Sequence, residues 1–184
     1  INRRIVDHIA DINLTYSSIS RQNLLKEGLK NDYVIKVGSP LFEVFNTFKE
    51  KINKSKILKK YDLKQNDYFL ISIHREENTQ TINQINNVCI ILNKLQKKYK
   101  KEILFPCHPR IRAKIEKKIK NKKIKIIKPL SFTDYVYLQI NSYLVLSDSG
   151  SISEESSILK FKSLNLRNTH ERHEAMEEGS VMMV

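Results

Sequence analysis

Short apolar runs alternate with helix-period segments over most of this chain, and no other feature limits its fold as strongly. Residues 68–73, 103–107, 124–127, 143–146 and 163–166 read as strands, and 33–37 as an earlier one. Ile82, Ile85, Val88, Cys89, Leu92 and Leu95 recur at helical spacing, which predicts an amphipathic helix over 80–99. Residues 110–121, 133–141 and 151–160 also read as helices, and 172–178 as the start of another. Pro106 places its strand near an end or an edge. Strands separated by helices make βαβ units, so the expected fold is α/β, a Rossmann-like parallel sheet with helices on both faces. The first 30 residues read as a helix, a short strand near 12–14 and a second helix closing at Gly28. A break at Gly38, Ser39 and Pro40 divides the chain into a piece 1–40 and a domain 41–184.

Composition removes several function classes. No apolar run approaches the roughly 20 residues of a membrane span. The opening residues lack the apolar core of a signal peptide, and Ile1, not being a Met, is not expected to be the natural start. Two cysteines, Cys89 and Cys107, make no disulfide framework, so the expected compartment is a reducing cytoplasm with no membrane attachment. With 4 glycines the chain has no Gly-x-Gly-x-x-Gly or Gly-Lys-[Ser/Thr] loop. The net charge of +13 suggests nucleic acid, but residues 94–128 alone carry a net +13. Lys outnumbers Arg 25 to 8, whereas base and phosphate readers favour the planar Arg fork. No aromatic ladder accompanies the lysines, so the run reads as a solvated helix face and nucleic acid is not an expected partner.

The chemistry collects where the strands end. Residues 74–78 (His-Arg-Glu-Glu-Asn) follow the first strong strand and 108–110 (His-Pro-Arg) the next. Residues 147–151 (Ser-Asp-Ser-Gly-Ser) and 167–172 (Arg-Asn-Thr-His-Glu-Arg) follow two more. Ligands of an open parallel sheet bind beyond the carboxyl ends of its strands, so these clusters are expected to meet on one edge. Ser149, Gly150 and Ser151 open a helix, where free N–H groups and the helix dipole suit a phosphate. Residues 151–154 also match a capping box, the purely structural alternative. Glu155, one turn in, is placed to accept both hydroxyls of a ribose, or serves only the dipole. His74 and Arg75 are placed to clamp a diphosphate, or merely cap a strand. His170 and His173 miss the His-Glu-x-x-His spacing, so no metal is expected.

Taken in order, residues 72–78, His108-Pro109, residues 147–155 and His170-Glu171-Arg172 resemble the non-hydrolysing UDP-N-acetylglucosamine 2-epimerases. The resemblance runs along nearly the whole chain. The wording at 76–78, 156–159 and 175–178 is similar to the branch acting on 6-deoxy sugars for capsule or O-antigen. It implies the C-terminal half of a GT-B-type two-domain fold, with a UDP-sugar as substrate, no cofactor and a homodimer when full-length. It further implies that His74 contacts the diphosphate and takes part in catalysis. Ser149 and Gly150 would hold phosphate, Glu155 the ribose, Tyr135 the uracil ring and Arg172 a phosphate. Arg75 and His108 match positions of a second, activating UDP-sugar in some members. The family's acidic catalytic residues fall upstream of Ile1, so the chain alone is expected to be inactive. Ser151 and Ser156 depart from a usual Gly and Pro, and His173 stands where a Pro is frequent. A GT-B glycosyltransferase domain and a non-enzymatic basic module are the alternatives.

Overall fold

The computed structural model describes residues 2–166 and 182–183. The chain divides into two compact units, Ile1–Val44 and Phe45–Val184, four residues beyond the division expected after residue 40.

The smaller unit is a βαβ hairpin with a leading helix. Helix α1 (Asn2–Ile9) precedes strand β1 (Asn13–Thr15), helix α2 (Ser18–Lys26) and strand β2 (Val34–Lys36). The two strands run parallel, with Leu14 opposite Ile35. Ser17 caps α2 by accepting the Ser20 N–H at 3.0 Å. Gly28, at φ +94, supplies the left-handed residue just past the helix.

The larger unit is built on six parallel strands: β3 (Tyr68–Ser72), β4 (Glu102–Pro106), β5 (Ile124–Ile127), β6 (Leu144–Ser147), β7 (Ser163–Asn165) and β8 (Met182–Met183). Their spatial order is β5-β4-β3-β6-β7-β8. The chain therefore grows outward from β3 on one side, then returns to lay β6 against the other. The carboxyl ends of β3 and β6 are the switch point, where such sheets bind ligands. Helices α6 (Ile82–Tyr99) and α7 (Pro109–Glu116) cover one face, packing Ile85, Leu92, Ile111 and Ile115 on Phe69, Ile71, Ile103 and Phe105. Helices α4 (Ile57–Lys60), α8 (Phe132–Asn141) and α9 (Ile152–Leu159) cover the other, packing Ile57, Leu138 and Ile152 on Tyr68, Leu70, Leu104 and Val145. Both faces of each central strand are thus buried, which is why these strands read as unbroken apolar runs.

The expected α/β class, parallel sheet and two helical layers are all present. Pro106 is the last residue of β4, an internal strand, so its missing N–H is tolerated at the strand end. Residues 41–67 carry no element predicted from the sequence. They form α4 and helix α3 (Leu41–Asn53), whose Phe45 and Ile52 are buried. A further short helix, α5 (Glu76–Thr79), lies inside the first polar cluster.

Two expectations need correction. The lysine-rich run is not a helix face throughout: α7 stops at Glu116, and residues 117–123 form the turn into β5. The capping box at 151–154 does not form, because Ser151 makes no side-chain cap bond and its hydroxyl reaches Glu155 instead. A true capping box forms at Thr81 and Gln84, where α6 starts. The predicted helix over 172–178 lies outside the described residues.

Candidate functional site

The loops after β3 and β6 meet through one carboxylate. Asp148, directly after β6, is fully buried. Its Oδ1 and Oδ2 accept the His74 backbone N–H at 3.1 and 3.2 Å, and Oδ2 accepts the Arg75 N–H at 2.9 Å. The Asn78 side-chain amide donates to Oδ2 at 3.0 Å, and His74 Nδ1 lies 3.0 Å from Oδ1. Arg75 Nε donates to the Asp148 carbonyl at 3.0 Å. Burial by itself pushes the Asp148 carboxyl up. The hydrogen bonds from His74, Asn78 and the Arg75 backbone outweigh that and hold it below the usual carboxylate range. The bond to Asp148 in turn lifts the His74 imidazole above the ordinary histidine range, against partial burial and the nearby Arg75. The His74 side chain remains 58% exposed, so a ring anchored at Nδ1 still meets solvent.

A second chain of contacts runs under the start of α9. The Ser149 N–H donates to Ser147 Oγ at 3.1 Å, and the Ser149 and Ser151 hydroxyls lie 2.8 Å apart. Ser151 Oγ donates to Glu155 Oε1 at 2.5 Å, and Gln139 Nε2 donates to Oε2 at 2.5 Å. Tyr135, one turn before Gln139 on α8, packs its ring on the apolar core of that face. Burial pushes its phenol up to about 12, helped by the charges of Glu155 and Asp148 and opposed by hydrogen bonds with Ser72 and Gln139. Ser72 and Ser147 are direct neighbours in the sheet register, so both contact systems rise from the same two strand ends.

A pocket of about 190 Å³ opens beside this edge, lined by His74, Thr79, His108 and Ile111. His108, which follows β4, thus faces the same space as His74. Arg75 turns its Nε to the β6–α9 loop and does not line that pocket. The structure therefore brings His74, Arg75 and Asp148 into one cluster, and Tyr135, Ser149, Ser151 and Glu155 into another beside it. Gly150 lies in the loop between Ser149 and Ser151. Arg172, with His170, Glu171 and His173, lies outside the described residues.

The sequence profile described as UDP-N-acetylglucosamine 2-epimerase matches residues 1–184. The chain belongs to that epimerase family. A UDP-N-acetylglucosamine 2-epimerase of Methanocaldococcus jannaschii is 32% identical over all of this chain and 53% of its own length. A solved UDP-N-acetylglucosamine 2-epimerase of Rickettsia bellii is 41% identical with a TM-score of 0.84, covering 98% of this chain and 49% of that one. The Neisseria meningitidis UDP-GlcNAc 2-epimerase, solved bound to UDP-GlcNAc, is 30% identical with a TM-score of 0.89, covering 100% and 52%. The chain spans about half the length of the curated relatives it matches. These neighbours are GT-B epimerases, and the larger unit has the expected parallel sheet.

Within this family member, sequence reasoning gave no role to Asp148, Asn78, Ser72 or Gln139. Asp148 left a usable signal: a carboxylate directly after an apolar strand at a switch point needs donors if it is buried. Gln139 left a fainter one, as a polar residue one turn after Tyr135 on a largely apolar helix. The lysines of 97–101 and 117–123 stand apart from this site. Residues 97–101 precede β4 and residues 117–123 precede β5, at the opposite ends of the strands. Among them Lys101 pairs with Asp67 at 2.7 Å, and nearby Lys125 pairs with Glu102 at 2.7 Å.

Proposed function

We propose that this chain is the UDP-binding half of an enzyme that inverts C2 of a UDP-2-acetamido sugar. The observation that carries the reading is the meeting of His74 with Asp148, and the link from Ser149 through the Ser151 hydroxyl to Glu155, at the β3–β6 switch point. Family membership and the solved relatives bound to UDP-GlcNAc or UDP support it. His74, whose protonated form the bond to Asp148 favours, faces the diphosphate. Ser149, Gly150 and the start of α9 take phosphate, Glu155 the ribose hydroxyls, Tyr135 the uracil and Arg172 a phosphate. Arg75 and His108 serve a second UDP-sugar. The reaction breaks the C1–O bond to UDP while a base removes the C2 proton, leaving a glycal, and UDP re-adds as a proton returns to the other face. That exchange moves a proton and a leaving group without net redox change, so it calls for no redox cofactor, and in this reading protein donors rather than a metal meet the diphosphate. Negative charge grows on the departing diphosphate, and a cation and helix N–H groups fixed beside it lower the barrier.

The substrate we propose is a 6-deoxy UDP-2-acetamido sugar destined for capsule or O-antigen, processed in the cytoplasm by a homodimer. Free, buried Cys89 and Cys107 accord with a reducing compartment. No helix among the described residues is long and apolar enough to cross a membrane. The family match favours this epimerase over a glycosyltransferase.

Calorimetric titration with UDP tests the reading. Arg172→Ala is expected to weaken UDP roughly ten- to a hundredfold, as loss of a charge-assisted hydrogen bond would. Glu155→Gln weakens UDP but leaves inorganic diphosphate unchanged, because the carboxylate serves the ribose. Lys120→Ala combined with Lys122→Ala leaves both affinities near wild type. Loss of UDP binding in the lysine pair, with none in the other two, would move the site away from the switch point. A further expectation concerns turnover, because the chain covers only about half of its relatives. Incubated alone with UDP-N-acetylglucosamine or its 6-deoxy analogue, it yields no C2 epimer by NMR. Turnover near the ~10 s⁻¹ of an ordinary enzyme would overturn this division of labour.

A further inference from the structure

We infer that Asp148 is the positioning residue for His74: it fixes the ring with Nδ1 protonated and Nε2 presented outward, and so sets the pH range over which UDP is held. This rests on the nucleotide reading above and adds to it a residue that touches no ligand. Asp148 has no solvent exposure, so its oxygens have only protein donors to face. Two of those donors are the backbone N–H groups of His74 and Arg75, which fix the loop, and a third is Asn78, which also reaches the Leu166 carbonyl at 3.3 Å. With the loop fixed, His74 Nδ1 meets Oδ1 at 3.0 Å. An ionised carboxylate accepts only, so the ring nitrogen facing it must carry a hydrogen in both the neutral and the charged form. The free nitrogen is then Nε2, on the exposed side of the ring. Protonating Nε2 makes the cation that a diphosphate prefers, and losing that proton leaves an acceptor facing phosphate oxygens.

The charged and titratable groups around this pair are few among the described residues. Arg75, on the same loop, opposes protonation of His74. His108, after β4, shares the pocket wall with His74. Tyr135, on α8, feels the charges of both Asp148 and Glu155, the latter on α9. Only Asp148 bonds to the His74 ring in this set, so it dominates the outcome.

The test has one part that needs no ligand and no variant. In nitrogen-15 NMR of the 184-residue wild-type chain, neutral His74 is expected to show a protonated Nδ1 and a bare Nε2. Its titration midpoint is expected above that of a free histidine. The opposite tautomer would overturn the inference. The second part follows UDP affinity against pH by calorimetry. Affinity falls as pH rises through the His74 titration. In Asp148→Asn that fall moves to lower pH, and between the two midpoints UDP binds roughly tenfold more weakly than to wild type. A folded Asp148→Asn chain with an unchanged pH profile would overturn the inference, since a residue that only supports the loop would not set the midpoint. A wild-type chain with the expected tautomer and no UDP binding supports the Asp148–His74 coupling and overturns the nucleotide reading instead.

Discussion

Asp148→Ala is expected to destabilise the larger unit by about 3–5 kcal/mol, because three donors lose one buried acceptor at about 1–3 kcal/mol each. Asp148 is wholly buried and accepts from the His74 and Arg75 backbone, the Asn78 amide and the His74 ring. Alanine leaves these donors facing an apolar side chain, with room for water only if the loop opens. Urea unfolding checks the value, and a loss under about 1 kcal/mol would mean the loop re-forms its bonds elsewhere. The pH dependence has a defined sign. The carboxyl is held below its ordinary range, so its contribution is present above the unfolded value and is lost as pH falls through the folded one. The imidazole is raised, so its contribution is present below the unfolded value and is lost as pH rises through the folded one. The pair therefore stabilises most between those limits, and Asp148→Ala should flatten the profile on both sides. The acid side should change more, because the His74 side chain is 58% exposed and its share is screened by solvent.

Phe69→Ala is expected to cost a comparable 3–5 kcal/mol, about what is lost when a fully buried aromatic is truncated. Phe69 is 1% exposed at the middle of the β3–α6 face. Its ring meets Tyr99 edge-on at 5.4 Å and Tyr143 at 5.5 Å, so truncation opens a cavity that three elements would have to close. Because β3 is the strand on which both β4 and β6 pair, a collapse there would move the switch point. The expected result is a lower denaturant midpoint with an unchanged slope, and weaker UDP binding only near the transition. Selective loss of UDP affinity at full stability would show instead that Phe69 acts on the site directly.

The apolar runs at 68–73, 103–107 and 124–127 could be read because a strand buried on both faces needs every side chain apolar. They became β3, β4 and β5, and the segments at helical spacing became α6 and α8. The convergence of the polar clusters at 74–78, 108–110 and 147–151 was equally legible, since parallel strands all end on the same edge, while the cluster at 167–172 lies outside the described residues. Residues 41–53 were readable in principle, with Phe45 and Ile52 on one helical face, but after the break at Gly38, Ser39 and Pro40 no glycine or proline marked their end. Ser151 followed the capping pattern in sequence, yet Glu155 lay within reach of its hydroxyl and accepted it instead. The amino-acid sequence by itself thus determined the class of fold, the edge that carries the chemistry and most of the residues on it. Tertiary structure alone decided which of them touch. Asp148 and His74 are 74 residues apart, and Gln139 and Glu155 sit on different helices. Their pairing depends on β6 lying beside β3 rather than beside β5. Local periodicity does not encode strand order, and burial of Asp148 follows only once that order has closed the loops over it.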